Sequence, residues 1–305
     1  MASVASLKKR FDSAIESSDL YTAEQTCRTI AHRLRTTRDG DESFHHARAR
    51  EALESGALAL LKLNGTQSGT SLALDYVNAL RTDHVPFSEG KASLLEIVKA
   101  YGDTELSDEG EVEKLRFVKS CIDYSKTDLN NAGSKVEDKE LNGIAAMSSW
   151  ARRDFGAAQK YFLLSDQPEK FAEMLLEWSS TYGLKSEVDL FLTRAVLEYA
   201  LRNNLQDAAV VHSAFVARYG DFSPLANFCE MLLKVLPKND AYNLFKYLCE
   251  AYDSSLKRDE SFPKTLGSLG KLYYGVEPPR HQGNALQDMM SGVMKSLMGG
   301  APSRT

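Results

Sequence analysis

Cysteine is scarce in this chain of 305 residues, and its four cysteines stand far apart. No two of them have the spacing of a zinc site, so we predict no metal ion and no cofactor. Each lies inside an apolar helical pattern, which is typical of a small buried hydrophobic residue in a reducing compartment. The four residues are Cys27, Cys121, Cys229 and Cys249.

Long apolar runs are also missing. No segment approaches the ~18 to 20 apolar residues that span a bilayer, and Met1 to Lys9 lacks the apolar core of a secretory signal. The net charge of −5, from 37 basic and 42 acidic residues, gives no global field that would attract nucleic acid. We therefore predict a cytosolic protein without a nucleic-acid partner and without direct membrane insertion.

Strand patterns are absent throughout, whereas helical periodicity is present along most of the chain. Near the start, Val4, Leu7, Phe11 and Ile15 recur at spacings of three and four and so share one helix face. Similar patterns predict roughly fourteen helices. After the first, they lie at about 20–35, 43–63, 71–81, 91–101, 110–124, 138–152, 155–165, 168–181, 187–203, 205–219, 223–236, 240–253 and 263–274.

One short unit occurs three times: an Asp or Asn, then a large apolar residue, with Ala four positions after the first residue. The acidic or amide side chain can accept a hydrogen bond from the first helical turn, and the Ala lets a neighbouring helix approach closely. The unit predicts an all-α fold, an α-solenoid of stacked antiparallel helical hairpins similar to TPR proteins, which usually forms a binding surface. The copies begin at Asp19, Asp154 and Asn204.

Two segments indicate domain limits. The polar segment from Ser125 to Lys139 is the best candidate for a break between two halves. After Pro278 and Pro279 a helix cannot continue easily, and the last segment holds four of the eight methionines. We predict an N-terminal half at 1–125, a C-terminal half at 126–280 and a flexible Met-rich tail at 281–305.

No catalytic constellation stands out. The string Gly267 to Lys271 has too few residues between its glycines for a phosphate-binding loop, and Leu272 replaces the required hydroxyl residue. Adjacent His45 and His46 point about 100° apart on a helix, which disfavours a shared metal. The acidic residues from Asp108 to Glu113 suit a helix start. We predict a protein that is not an enzyme, although solenoids can assemble sites from distant residues.

A polar, basic face stands opposite the apolar face of the helix at 20–35. No acidic residue occurs between Gln25 and Arg35, whereas solvated helix faces usually mix both signs. An acidic groove on a partner would be complementary to this face, and an ordinary solvated exterior is the alternative. We call this face the basic stripe, consisting of Gln25, Arg28, Thr29, His32, Arg33 and Arg35.

The helix near 241–252 is apolar almost all the way round. Such a helix is buried on several sides. It is either an interior helix of the solenoid or a helix covered by a partner, and aromatic residues suit a partner groove. Its apolar residues are Tyr242, Leu244, Phe245, Tyr247, Leu248, Cys249 and Tyr252.

Four strings, in this order, resemble the Golgi to ER traffic protein 4 family, and the resemblance spans nearly the whole chain. They are Tyr21 to Arg33, Glu54 to Lys62, Tyr161 to Leu164, and Leu272 to Pro279 followed by a Met-Met-Ser-Gly tail. The resemblance implies a non-enzymatic, all-helical cytosolic scaffold in the GET pathway for tail-anchored membrane proteins. It implies that the N-terminal half binds the dimeric targeting ATPase and the C-terminal half a ubiquitin-like adaptor protein linked to a co-chaperone.

Carried onto this chain, the resemblance places the ATPase contact on the basic stripe. The implied positions are Gln25, Arg28, Thr29, His32, Arg33 and Arg35, with Asp75 as a further candidate for a regulatory contact. Some family members insert a β-hairpin in the C-terminal half, but here only Tyr219 to Pro224 joins the two helices. The groove for the ubiquitin-like partner must then be helical, and we predict that its contacts are Phe228, Tyr242, Phe245 and Tyr252.

A helical-repeat structural subunit of a large assembly, of the proteasome-lid or coat type, is the alternative function. A stable complex of only two or three proteins on gel filtration would argue against it.

Overall fold

The structure is a computed structural model that describes residues 3–37, 41–102, 106–126, 137–220 and 223–276. Within these ranges it contains fifteen α-helices and no strand, which confirms the predicted all-α solenoid class. The helices are α1 Val4–Glu16, α2 Leu20–Thr36, α3 Glu42–Lys62, α4 Thr66–Thr82, α5 Phe87–Ala100, α6 Asp108–Ser125, α7 Lys139–Ala151, α8 Phe155–Phe162, α9 Pro168–Tyr182, α10 Val188–Leu201, α11 Leu205–Tyr219, α12 Pro224–Val235, α13 Tyr242–Ala251, α14 Asp253–Leu256 and α15 Ser261–Tyr274.

Helix boundaries agree with the periodicity except at four places, one of which is the end of α8 at Phe162 instead of about 165. The helices α4 and α5 begin several residues earlier than predicted. The first turn of α4 buries Gly69, which a search for large apolar side chains overlooks, whereas the first turn of α5 buries Phe87, which the predicted range left out. At Gly69 a Cβ would lie 2.7 Å from the Leu61 side chain, so α4 packs closely on α3. The pattern at 240–253 divides into α13 and α14, which accounts for the fifteenth helix.

Five helix-to-helix turns share one backbone conformation. Each contains a residue other than glycine with positive φ, and the next residue donates its N–H to the carbonyl five positions before it. Asp19 N lies 2.8 Å from Ala14 O in this way, and Asp154 N lies 2.9 Å from Ser149 O. This is the 6→1 bond of the Schellman motif, which satisfies a free carbonyl at the helix end. The positive-φ residues are Ser18, Asn64, His84, Arg153 and Asn203.

In the three copies of the repeated unit, the residue that closes this turn also begins the next helix. Asp19 Oδ1 accepts from Thr22 N at 3.0 Å, and Asp154 Oδ1 accepts from Ala157 N at 3.0 Å. Asn204 Oδ1 accepts from Asp207 N at 3.2 Å. The alanines four positions later, Ala23, Ala158 and Ala208, are all 0% exposed, so the helix-start interpretation is confirmed.

The chain divides into two compact units. Unit 1 comprises the described residues up to Val188 together with Ser213–Tyr219, and unit 2 comprises Asp189–His212 and the described residues from Gly220 onward. In unit 1, each of α1 to α3 packs on the next helix, α4 packs on α6, and α6 packs on α7. In unit 2, α13 packs on α12 and α15.

This division differs from the predicted halves at 1–125 and 126–280. The two helices beside the polar segment, α6 and α7, pack on each other inside unit 1. Lys126 Nζ also lies 3.1 Å from Glu137 Oε1 across that segment. Residues 127–136 and the Met-rich tail at 281–305 lie outside the described residues.

Replacing one N-cap residue should measure how much the repeated unit contributes to the free energy of unfolding. We expect Asp154→Ala to lower the free energy of unfolding by about 1 kcal/mol, because the amide of Ala157 loses its acceptor. Asp154→Asn keeps an acceptor oxygen and should lose less than half of that. Urea unfolding followed by circular dichroism measures both, and equal losses would show that charge, not capping, matters at this position.

Candidate functional site

The outer face of α2 presents the three members of the basic stripe that are not arginines. Gln25, Thr29 and His32 are exposed, and the opposite face is buried against the core of unit 1. Thr29 Oγ1 donates to the carbonyl of Gln25 at 2.8 Å, so its hydroxyl is held along the helix. The exposed face continues to Tyr21, whose side chain is 72% exposed. The three arginines lie at the sides of this face and are partly buried.

Arg28 is held by three side chains between α2 and α4. Its Nε donates to Asp75 Oδ2 at 2.8 Å, and its Nη2 donates to Ser71 Oγ at 2.6 Å. Its Nη1 lies 2.9 Å from Glu24 Oε1, one turn earlier on α2. The structure thus brings together two predicted site residues, Arg28 and Asp75. It also adds Ser71 and Glu24, which the sequence analysis missed.

Arg35 belongs to a second ionic cluster, which lies at the C-terminal ends of the same two helices, α2 and α4. Its guanidinium pairs with Asp83, the residue that ends α4, and Arg50 of α3 pairs with the same carboxylate. His46 Nδ1 lies 3.1 Å from Asp83 Oδ1. The Asp83 side chain is only 5% exposed, so one buried carboxylate gathers two arginines and a histidine.

No acidic residue stands between Gln25 and Arg35 in the sequence, but Glu24 earlier on α2 and two aspartates of the α4 region, Asp75 and Asp83, lie beside these arginines in space. Arg28 and Arg35 are seven residues apart on α2, and Asp75 and Asp83 are eight apart on α4. At about 1.5 Å per residue these separations are nearly equal, so both pairs form at once. Comparing the spacing of the arginines on α2 with the spacing of the aspartates on α4 could have revealed this match from the sequence. The face around the basic stripe is therefore of mixed charge.

The predicted aromatic contacts in unit 2 are mostly internal. Phe228 is 0% exposed and Phe245 is 6% exposed, so neither presents a surface to a partner, which corrects those two predictions. Phe228 packs on Tyr252 with ring centroids 5.6 Å apart. Tyr242 and Tyr252 are half-buried. The rings fill the space between helices because aromatic side chains bury large areas.

The side of α13 that points away from the core exposes two large apolar residues among polar ones. Leu244 is 48% exposed and Tyr247 is 68% exposed, and they stand three residues apart on one helix face. Only Phe245 and Leu248 of α13 are buried. The helix α13 therefore has an interior side and an exposed side, and its coverage by a partner stays a prediction.

The residues that were candidates for catalysis or metal binding lie at positions where they have a role in the fold. Gly267 to Lys271 lie within α15, and the acidic residues from Asp108 lie in the first turns of α6. Burial raises the pKa of the Cys27 thiol to about 12, and likewise that of Cys229. Cys249 is half-buried rather than buried. In the described ranges no three His, Cys, Asp or Glu side chains are grouped to hold a metal ion.

No helix in the described parts of the chain combines the length and the apolar composition that crossing a bilayer requires.

Comparison with known proteins gives one consistent family. The family model for GET4, Golgi to ER traffic protein 4, matches residues 43–294. The chain is 29% identical to the Golgi to ER traffic protein 4 homolog of Takifugu rubripes, over 97% of this chain and 88% of that protein. It is 28% identical to the homolog of Homo sapiens, over 97% of this chain and 87% of that one. The crystal structure of C. therm. Get4 matches with a TM-score of 0.75 at 26% identity, covering 99% of this chain and 97% of that chain.

Asp83 should be a main determinant of stability in unit 1. We expect Asp83→Asn to lower the free energy of unfolding by about 2 kcal/mol, because two arginines lose their shared buried carboxylate; partial exposure of both arginines keeps the loss below that of a fully buried pair. Urea unfolding measures it. Asp123→Asn is the control, since its pair with Lys126 is exposed and should contribute less than about 0.5 kcal/mol. Similar small losses for both variants would contradict the assigned role.

Proposed function

The chain belongs to the Golgi to ER traffic protein 4 family, and we propose that it is a cytosolic scaffold that bridges a dimeric targeting ATPase and a ubiquitin-like adaptor protein. The family match over residues 43–294 carries the proposal and supports a role in the GET pathway for tail-anchored membrane proteins. The identity of the two partners is the finer part of the proposal. The proposed role is bridging, without a catalytic step.

We assign the ATPase contact to the basic stripe together with Asp75. The family model begins at residue 43, so the part played by α2 is supported by the resemblance of its residues and by its geometry. Gln25, Thr29 and His32 offer an exposed polar face. Arg28 is already fixed by Asp75 and Ser71, so little side-chain entropy would be lost when a partner carboxylate approaches it.

Charge reversal on α2 tests the ATPase contact. We expect Arg28→Glu with Arg33→Glu to weaken ATPase binding by at least about 2 kcal/mol, because close charge pairs at interfaces carry roughly that much each. Isothermal titration calorimetry with the purified ATPase measures it. The matched control is Arg116→Glu with Lys119→Glu, which makes the same charge change on exposed positions of α6 and should leave the affinity unchanged.

A second pair of substitutions separates binding from stability. Gln25→Glu with His32→Glu adds negative charge to exposed positions and leaves the bond between Arg28 and Asp75 intact. It should also weaken ATPase binding, with an unchanged melting temperature. Unaltered affinity in both stripe variants would overturn the assignment of this surface.

We assign the adaptor contact to the exposed side of α13. Leu244 and Tyr247 form its apolar centre in place of the buried Phe228 and Phe245, and the half-buried Tyr242 and Tyr252 are kept from the sequence prediction. Aromatic residues in an uncovered position suit the centre of a protein interface. α11 ends at Tyr219 and α12 begins at Pro224, so a long hairpin cannot stand between them and the contact would be made by helices.

Truncating one tyrosine tests the adaptor contact. Tyr247→Ala should weaken binding of the ubiquitin-like adaptor at least tenfold, about 1.4 kcal/mol, because an exposed aromatic anchor is lost without a core cavity. Tyr182→Ala in unit 1 is the matched control, since both tyrosines are 68% exposed. Biolayer interferometry with immobilised adaptor gives the affinities. Equal effects of the two variants would place the adaptor elsewhere.

A further inference from the structure

Glu24 of α2 is not a member of the basic stripe, yet it pairs with the first arginine of that stripe. Glu24 Oε1 lies 2.9 Å from Arg28 Nη1, and the Glu24 side chain is 13% exposed. Arg28 also donates from Nε to Asp75 and from Nη2 to Ser71. Each of the three guanidinium nitrogens of Arg28 is therefore already engaged by an acceptor of this chain.

Only part of the Arg28 guanidinium remains for a partner. A guanidinium has five N–H donors, so these three contacts leave two donors, one on Nη1 and one on Nη2. The Arg28 side chain is 38% exposed, so a partner can reach it. A carboxylate of the partner that approaches Nη1 then comes close to the Glu24 carboxylate, and two like charges beside one donor group repel each other.

The carboxylates that pair with Arg28 outnumber its guanidinium. Glu24 and Asp75 bring two negative charges to one positive charge, so this group as a whole is negative. Asp75 is 38% exposed and Glu24 is 13% exposed, so water screens the charge of Glu24 less. Without Glu24, Arg28 and Asp75 would form a neutral pair.

The pairing of Arg35 has the opposite balance. Arg35 and Arg50 share the single carboxylate of Asp83, so there one carboxylate serves two guanidiniums. At Arg28 two carboxylates serve one guanidinium. The excess of carboxylate is therefore a property of the Arg28 end of the stripe, and Glu24 creates it.

We propose that Glu24 limits the affinity of the ATPase contact, because it competes with a carboxylate of the partner for Arg28. This proposal rests on the assignment of the ATPase contact to the basic stripe. Charge at an interface acts mainly on the rate of association. The excess carboxylate at Arg28 therefore slows the encounter with an acidic groove, and it keeps the contact between scaffold and ATPase readily reversible.

Glu24→Gln tests the proposal, because the amide keeps an acceptor oxygen for Arg28 and lacks the charge. Biolayer interferometry with immobilised, purified ATPase measures the association rate. At about 20 mM NaCl the variant should associate at least about twofold faster than the natural chain. At about 500 mM NaCl, where the Debye length falls to about 4 Å, the two rates should be equal.

Two further variants are the controls. Glu198 forms the same pair with an arginine four residues later, Arg202, on α10 in unit 2, where no ATPase contact is proposed. Glu198→Gln thus makes the same change in net charge and should alter the association rate less than about 1.5-fold. Glu24→Asp keeps the negative charge and should not accelerate association. Circular dichroism verifies that each variant is folded.

Slower association of Glu24→Gln would overturn the proposal, because it would show that Glu24 positions Arg28 for the partner. Equal acceleration in either control variant, or an acceleration that salt does not reduce, would also overturn it. If Arg28→Glu with Arg33→Glu weakens binding but Glu24→Gln does not accelerate association, this proposal fails and the ATPase contact stands. If neither change affects binding, both proposals fail.

Discussion

The left-handed turn between consecutive helices is the constraint on which the rest of the structure depends. It reverses the chain within a few residues and closes one helix with a 6→1 bond, and in the three copies of the repeated unit it also starts the next helix with a cap. Because the connection is so short, the two helices that it joins must pack against each other. The buried alanine one turn later sets how closely they approach, so local chemistry at Asp19, Asp154 and Asn204 determines the spacing of the hairpins.

Electrostatics then joins helices that are not neighbours in sequence. α2 and α4 are separated by α3, yet Arg28 meets Asp75 and Arg35 meets Asp83. Because both pairs connect the same two helices, they fix the axial position of α2 relative to α4 as well as the charge of the surface. Side chains of α2, α3 and α4 consequently determine the charge of the polar face of α2 together. A partner that approaches it meets arginines whose orientation is already set.

Most of the fold could be predicted from the sequence because helical periodicity and caps are local properties. The pattern from Val4 to Ile15 predicts α1, and Asp19 predicts the start of α2. The candidate sites could be predicted only in part. Exposure of Gln25 and His32 follows from the helix period, and so does the burial of Phe228 on the apolar face of α12. The sequence of α13 is apolar on several sides and does not show that Phe245, and not Tyr247, faces the core.

The high thiol pKa values have a practical consequence for labelling. At neutral pH a thiol of pKa about 12, such as that of Cys27, Cys229 or Cys249, has a thiolate fraction on the order of a thousandfold below that of a free cysteine. Burial raises the pKa of Cys121 as well. Maleimide dyes react with the thiolate, so a cysteine introduced at an exposed position would be modified selectively. Burial also shields Cys27, Cys121 and Cys229 from such dyes, whereas Cys249 is only half-buried.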